Sequence, residues 1–589
     1  MSQPKDPRHA SSSTTIAAIG VATRRGLIAL LAGAALGLAP AVADARTWFV
    51  RAGGAEAGQG TRASPFARLA SVEARSRRGD RIVILPVARS VGPLDGGLKL
   101  KRGQRLVGRR SADRASRLTN TDPARLEGDA VRLASGVKVR RIGVAGAVRG
   151  GIYGRNVRGV SIRGTDVSGH NTSCTRGFHI PPFNVPTTAP GVGVPISDGL
   201  HNGWAGIMVD ASRGRGRVVI TRNRVHDAGC GDGIDVRLSG MARRRVVITR
   251  NLVAELRQGA EFESVLAFGL QTRERSRLSA RLDRNRQRGL GNDEDAGAGP
   301  EGADSEGVFI NPTGPSTLTA VVTRNRYTHT PGRGGFSANG LEFVSMGDGS
   351  RGDVTVRDSS FTGTPGDVLE QLALGTGAQL RLRLDRVVAS GSTGFAGSGY
   401  GNTTVIPGNN GDCLVSASGG AGNSIDLVVR RTALTDCANN GLTFGSAVAN
   451  GSGPTTALRL DLADSRLTGN RGNNFRVGNL SDLDLLEVKV QDTDLADSRG
   501  AGLTPANASF ENIGDTARAT IDLGGGGLGS RGGNCLDGGS QAAALVRYDV
   551  TARGNWWGQP GGPAAGQTVA VGGILDAGAA LDAAPDGRC

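Results

Sequence analysis

The sequence predicts an all-β solenoid, a single column of about thirteen stacked coils behind an N-terminal capping helix. Three observations predict it. The stretch VVITRN begins at Val218 and again at Val246. Weaker copies recur at intervals near 30 residues, among them AVVTRN ending at Asn325, VTVRD at Asp358, LVVRR at Arg431 and LDLAD at Asp464. Each copy alternates apolar and polar side chains, turns, and gives a second short apolar run such as GIDVRL, with no helical stretch between. One such unit cannot bury its apolar side alone. Stacked coils can, and identical positions then fall over one another, so that the Asn residues form a ladder. At ~4.8 Å per coil the column is on the order of 60 Å long. The 94 glycines and the 4% aromatic content suit tight turns and small repeated core layers.

Taken in chain order, residues 1–45 read as a signal peptide. Arg24 and Arg25 precede an apolar run from Leu27 to Ala43, and Ala43 and Ala45 frame a cleavage site. The arginine pair resembles a twin-arginine export signal, which implies a periplasmic or extracellular protein with no membrane span in the mature chain. Residues 46–110 read as a cap and the first coils. Ser64 and Pro65 look like N-cap and N1 of a helix carrying Phe66, Leu69, Ala70 and Val72 inward, followed by a first strand in GDRIVIL. Residues 111–589 are the coils, with loops inserted at 170–204 and 291–307.

The segments TWFVRAGG through GDRIVIL, LKLKRGQRLVG and GNWWGQPGGP resemble the right-handed parallel β-helix proteins of the pectate-lyase-like superfamily. The resemblance covers nearly all of the chain from Arg46 and implies that fold. It implies no single activity, because lyases, hydrolases, epimerases and adhesins share the architecture without sharing sites. Six cysteines follow the leader. Turns one coil apart would pair Cys174 with Cys230 and Cys413 with Cys437, leaving Cys535 for Cys589.

The net charge is +17, and 65 of the 70 basic residues are Arg. A GC-rich genome gives such a bias; so does a surface that attracts polyanions. No zinc-finger spacing, RNP-like aromatic run or basic helix points to nucleic acid. The expected partner is an acidic polysaccharide, met by a monomer. Candidate chemistry clusters beside the first loop. In GIDVRL, Ile234, Val236 and Leu238 point inward, so Asp235 and Arg237 point outward; one coil earlier Met208 and Asp210 do the same. Asp210 should lie beside Arg237 and Met208 beside Asp235, with His201, His226, Asp227 and Asp232 flanking. Glu342 and Glu263 are further candidates on later coils. For a lyase on a uronate polymer, Asp210, Asp235 and Asp232 could bind Ca2+ through hard oxygens, while Arg237, or a neighbour such as Arg222, acts as base or clamp; a hydrolase would instead use Asp210 and Asp235 as its two carboxylates, with His226 and His201 flanking. The motifs of pectin hydrolases and pectate lyases are absent, which leaves a non-catalytic structural or adhesion protein as the alternative.

Overall fold

The computed structural model describes residues 45–111, 113–180, 200–257, 264–291, 304–330, 337–394, 411–446, 457–479, 482–499, 506–512, 515–538, 543–545 and 547–587, with residues 259, 262, 455 and 589. The expected leader up to residue 44 lies outside them. From Ala45 onward the chain is a right-handed parallel β-helix. Each coil contributes up to three short strands, one to each of three sheets. Arg215–Thr221, Arg224–Ala228 and Ile234–Leu238 form one coil. The next coil begins with Arg243–Thr249, which stacks in parallel with Val246 opposite Val218 and Ile248 opposite Ile220. The repeated hexapeptide therefore marks one address on successive coils, as its recurrence requires.

The first sheet, which holds these strands, has 17 strands. Thirteen carry the motif legible in the sequence. The other four are Thr47–Val50, Arg81–Ile84, Arg105–Val107 and Leu575–Asp576, toward the two ends, where the pattern relaxes. Arg81–Ile84 is thus the second strand and not the first; Thr47–Val50 precedes it and pairs with it.

The corner between the first and second sheets explains the rest of VVITRN. Arg222, Arg250, Arg284 and Arg324 adopt left-handed conformations, with φ of 56°, 56°, 56° and 53°. That conformation turns the chain within a single residue. The Asn after each one forms the ladder. Asn251 Oδ1 accepts from the backbone N–H of Asn223 at 2.9 Å and from its Nδ2 at 3.0 Å, and Asn285 does the same for Asn251. Later copies correct the alignment by one residue. Asp358, Arg386, Arg431 and Asp464 occupy the left-handed position, and the ladder passes to Ser359, Thr432 and Ser465 beside them. A hydroxyl oxygen accepts the peptide N–H as an amide oxygen does, so the bond persists while the residue type changes.

Inward side chains make one continuous core from Val50 to Trp557. The cap differs from its sequence reading. The helix is Leu69–Arg75, with Arg68 at the N-cap and no side-chain cap, so Ser64 and Pro65 precede it. Leu69 and Val72 are buried, but Phe66 stacks on Trp48 from an extended segment, at 5.8 Å between ring centroids. The three disulfides join Cys174 to Cys230, Cys413 to Cys437 and Cys535 to Cys589. Their Cα separations of 5.5, 5.6 and 5.7 Å suit cross-links between neighbouring coils.

Candidate functional site

The third sheet carries the candidate residues. Ile207–Ala211 pairs with Ile234–Leu238, and the register sets Met208 opposite Asp235 and Asp210 opposite Arg237. Ile207, Val209, Ile234, Val236 and Leu238 face the core. Outward rows follow along the axis. Tyr153, Met208, Asp235, Gly269, Phe309, Glu342 and Glu370 form one; Asp210, Arg237, Gln271 and Asn311 form the other.

Outward does not mean exposed here. Asp235 and Met208 are fully buried, and Glu342 is 5% exposed. The antiparallel hairpin Gly177–Ile180 with Leu200–Gly203 joins this sheet, Asn202 pairing with Ser264, and brings Phe178 over Arg237 on its outer face. With it comes a second apolar cluster of Tyr153, Phe178, Met208, Leu266 and Phe309 on the outer face. The half-buried edge of this region is a small cleft of about 40 Å3 lined by Asp210, Arg237, Gln271 and Asn311, among others.

Burial reshapes the electrostatics. Asp232 and Asp235 face one another across a single turn. Burial drives both carboxyls upward; the charge of Asp235 adds to the effect on Asp232, which is held well above the carboxylate range. Burial pushes Asp235 up to about 6, restrained by its bond to Asp232, by Arg237 and by the Gly269 N–H. Two buried acids in contact share one proton, which resides on Asp232. Asp235 Oδ1 accepts from Gly269 N at 3.1 Å, and Asp232 Oδ1 accepts from Leu266 N at 2.8 Å. Burial lowers the guanidinium of Arg237 to about 10, against the pull of Asp210 and Asp235, so it stays charged at neutral pH. Its Cζ lies 4.0 Å from the Phe178 ring centroid, a cation–π contact that fixes it over the row.

The histidines lie apart from this pair. His226 belongs to the strand Arg224–Ala228 of the second sheet, where Nε2 meets Asp166 Oδ1 at 3.1 Å and Nδ1 meets Asp227. It does not join Asp210 and Arg237. The backbone of His201 pairs with that of His179 in the hairpin; its side chain, like that of Glu263, lies outside the described residues. His170 is the histidine that meets the acidic turn. Its Nε2 sits 2.7 Å from the carbonyl oxygen of Asp232, and burial pushes its pKa down to about 4.

The donor set does not fit Ca2+. Among the described residues no group of three His, Cys, Asp or Glu side chains is placed to hold a metal ion. Asp232 and Asp235 are enclosed and already accept peptide N–H bonds, whereas Ca2+ takes about six to eight oxygens.

A second group of acids went unread in the sequence. Asp367, Glu370 and Asp412 lie farther along the same face, all 3% exposed or less. Asp367 Oδ1 accepts from Asp412 N at 2.7 Å, Asp412 Oδ1 from Asn440 N at 2.7 Å, and Asn440 Oδ1 from Asn473 N at 2.8 Å. This is a ladder at the entry to the third sheet, and Asp232 accepts the same kind of bond from Leu266. The signal was present in the spacing of DGID at 232–235 and DVLE at 367–370.

No family model matches the sequence, and no curated protein matches it. Solved structures with a similar chain path include the catalytic domain of a GH87 alpha-1,3-glucanase in complex with nigerose. It is 10% identical with a TM-score of 0.34, over 76% of this chain and 66% of that one. The GH136 lacto-N-biosidase from Eubacterium ramulus is 12% identical with a TM-score of 0.32, over 59% and 66%. The periplasmic alginate epimerase AlgG is 10% identical with a TM-score of 0.29, over 77% and 78%. The chain thus spans 66% of the length of the first two. Likeness at this level says nothing of what this chain binds.

Proposed function

We propose that this is an exported, carbohydrate-active β-helix that binds an acidic polysaccharide along the outer face of the third sheet and cleaves it there. One observation carries the reading: a charged guanidinium and a carboxylate line one cleft, and the Asp235 carboxyl, pushed up to about 6, sits two residues before Arg237 in the adjacent outward row. Arg237 neutralises a sugar carboxylate. Gln271 and Asn311 offer amides to neighbouring hydroxyls. Asp235 is ionised at neutral pH yet basic enough to accept a proton, but its side chain is enclosed, so the half-buried Asp210 is the carboxylate that meets the polymer. Asp210, on the adjacent coil, is the partner carboxylate. In an elimination one carboxylate takes the C5 proton, the C4–O bond breaks, and the leaving oxygen collects a proton. In a hydrolysis the same two act on water and the glycosidic oxygen.

The test incubates mature protein with polygalacturonate and with alginate, with and without added Ca2+, and follows both unsaturated uronate absorbance and reducing ends. Turnover lost in Arg237→Gln and Asp210→Asn supports the reading; silence on every polymer sinks catalysis. One observation favours the non-catalytic alternative. The bond that Asp232 accepts from Leu266 N repeats the structural bonds accepted by Asp412 and Asn440. Binding without turnover is that outcome.

A further inference from the structure

On the outer face of the first sheet, the strands Arg81–Ile84, Arg105–Val107, Lys138–Arg140 and Val160–Arg163 stack in register. Arg81, Arg105 and Lys138 fall in one column, and Arg140 lies opposite Arg163 in a second. Arg222 closes the group at its left-handed corner. These side chains are exposed and line an open cleft of about 560 Å3 whose wall contains no carboxylate. None of the six side chains has an ion-pair or hydrogen-bond partner among the described residues.

Farther along the same sheet the pattern reverses. Arg381 meets Asp426 at 2.7 Å, Arg431 meets Asp385 at 2.6 Å, and Arg459 meets Glu487 at 3.0 Å. A compositional bias toward Arg accounts for the number of cations. It does not account for carboxylates being supplied along one part of a face and withheld from another. Like charges on adjacent coils, ~5 Å apart, repel one another even through water. An anionic chain laid over the columns converts that repulsion into attraction.

We infer that this cleft is a second binding surface, which holds an anionic polysaccharide lying along the rod axis, away from the third-sheet site. Each of the four coils supplies at least one cation, the arrangement that a polymer with a charge on each sugar engages. Among the described residues no aromatic side chain lines the cleft, so bases of a nucleic acid would find nothing there to stack on. The polymer class rests on the proposed function, but the residues and the test are separate.

The test measures capture of labelled polygalacturonate by the mature protein across a salt series. Arg105→Gln/Arg140→Gln/Arg163→Gln is compared with Arg381→Gln/Arg431→Gln/Arg459→Gln, which removes equal charge from paired positions. The first triple variant should weaken binding by about tenfold or more and flatten the salt dependence, while the second stays within about twofold. Equal losses in the two variants overturn the inference. All six positions are exposed, and an unchanged circular dichroism melt confirms the fold. Arg237→Gln separates the two proposals. If it alone abolishes capture while the first triple variant retains it, the cleft assignment falls and the third-sheet reading stands. If no variant turns over polymer but the first triple loses capture, the cleft stands and catalysis falls. Inorganic polyphosphate competing as well as polygalacturonate, charge for charge, would overturn the assignment to polysaccharide.

Discussion

Asp235→Asn should stabilise this protein at neutral pH. The wild-type carboxyl is fully buried, and its pKa is raised to about 6. An unfolded Asp titrates at about 4. Through the window from about pH 4 to about pH 6 the folded state therefore holds a proton that the unfolded state has released, so stability falls as pH rises. A shift of about two units amounts to ~3 kcal/mol lost by pH 7. Asparagine is neutral at every pH. Its Oδ1 can still accept from Gly269 N. Arg237 keeps Asp210 as its strongest electrostatic partner. A chain of 589 residues melting as a unit has an unfolding entropy of ~1.2 kcal/mol/K, so ~3 kcal/mol corresponds to a rise of about 2–3 °C in Tm at pH 7. At pH 4 the two proteins should melt together, and the gap should open between about pH 4 and 6. Scanning calorimetry of both proteins across that range decides it. A variant whose Tm runs parallel to the wild type, or lies below it at pH 7, refutes the account of a buried, proton-sharing pair.

Two further outcomes follow from the ladders and the cross-links. Asn251→Ala leaves the buried N–H of Asn223 and the carbonyl of Ile220 without their side-chain partners, and should cost about 2–4 kcal/mol in chemical denaturation; a loss under about 1 kcal/mol would mean the neighbouring coils close over the gap. Cys413→Ala/Cys437→Ala opens a loop of sequence separation 24 between two fully buried side chains. It should cost ~3 kcal/mol by loop entropy, visible as a lower denaturation midpoint, and an unchanged midpoint would show that stacking alone fixes that corner.

The coil architecture was legible because its cause is local. Alternation in VVIT sets the inward face, and an Arg that turns left-handed before an Asn sets the corner. Where Ser359 or Thr432 replaces the Asn, the hydrogen bond persists but the letter does not, so alignment by residue type slips one position. Strand alternation also placed Asp210 beside Arg237 and Met208 beside Asp235. It could not reveal that the outward face is roofed, because the roof comes from a distant segment, the hairpin carrying Phe178. Nor could sequence proximity place His226. It stands only eight positions before Ile234, yet a corner intervenes and sends its side chain to another sheet.

The two outer faces differ in what the chain places over them, and that difference sorts their chemistry. The insertion at 170–204 and residues 291–303 both follow a strand of the second sheet and precede the strand of the third that completes the coil; the expected second loop is shorter than 291–307, because residues 304–307 already belong to the third-sheet strand Asp304–Pro312. The first insertion brings Phe178 onto the third sheet's outer face, where a second apolar cluster makes a second interior. Carboxyls there lose water, share protons and move toward neutral pH, as Asp232 and Asp235 do. Along the basic cleft of the first sheet, the described residues supply no such cover. Its cations stay exposed to water, suited to attract a polymer. Attraction over a long open face and chemistry at a short enclosed one are different demands. A coil that repeats three faces can meet both, because an insertion at one corner changes one face and leaves the others as they were.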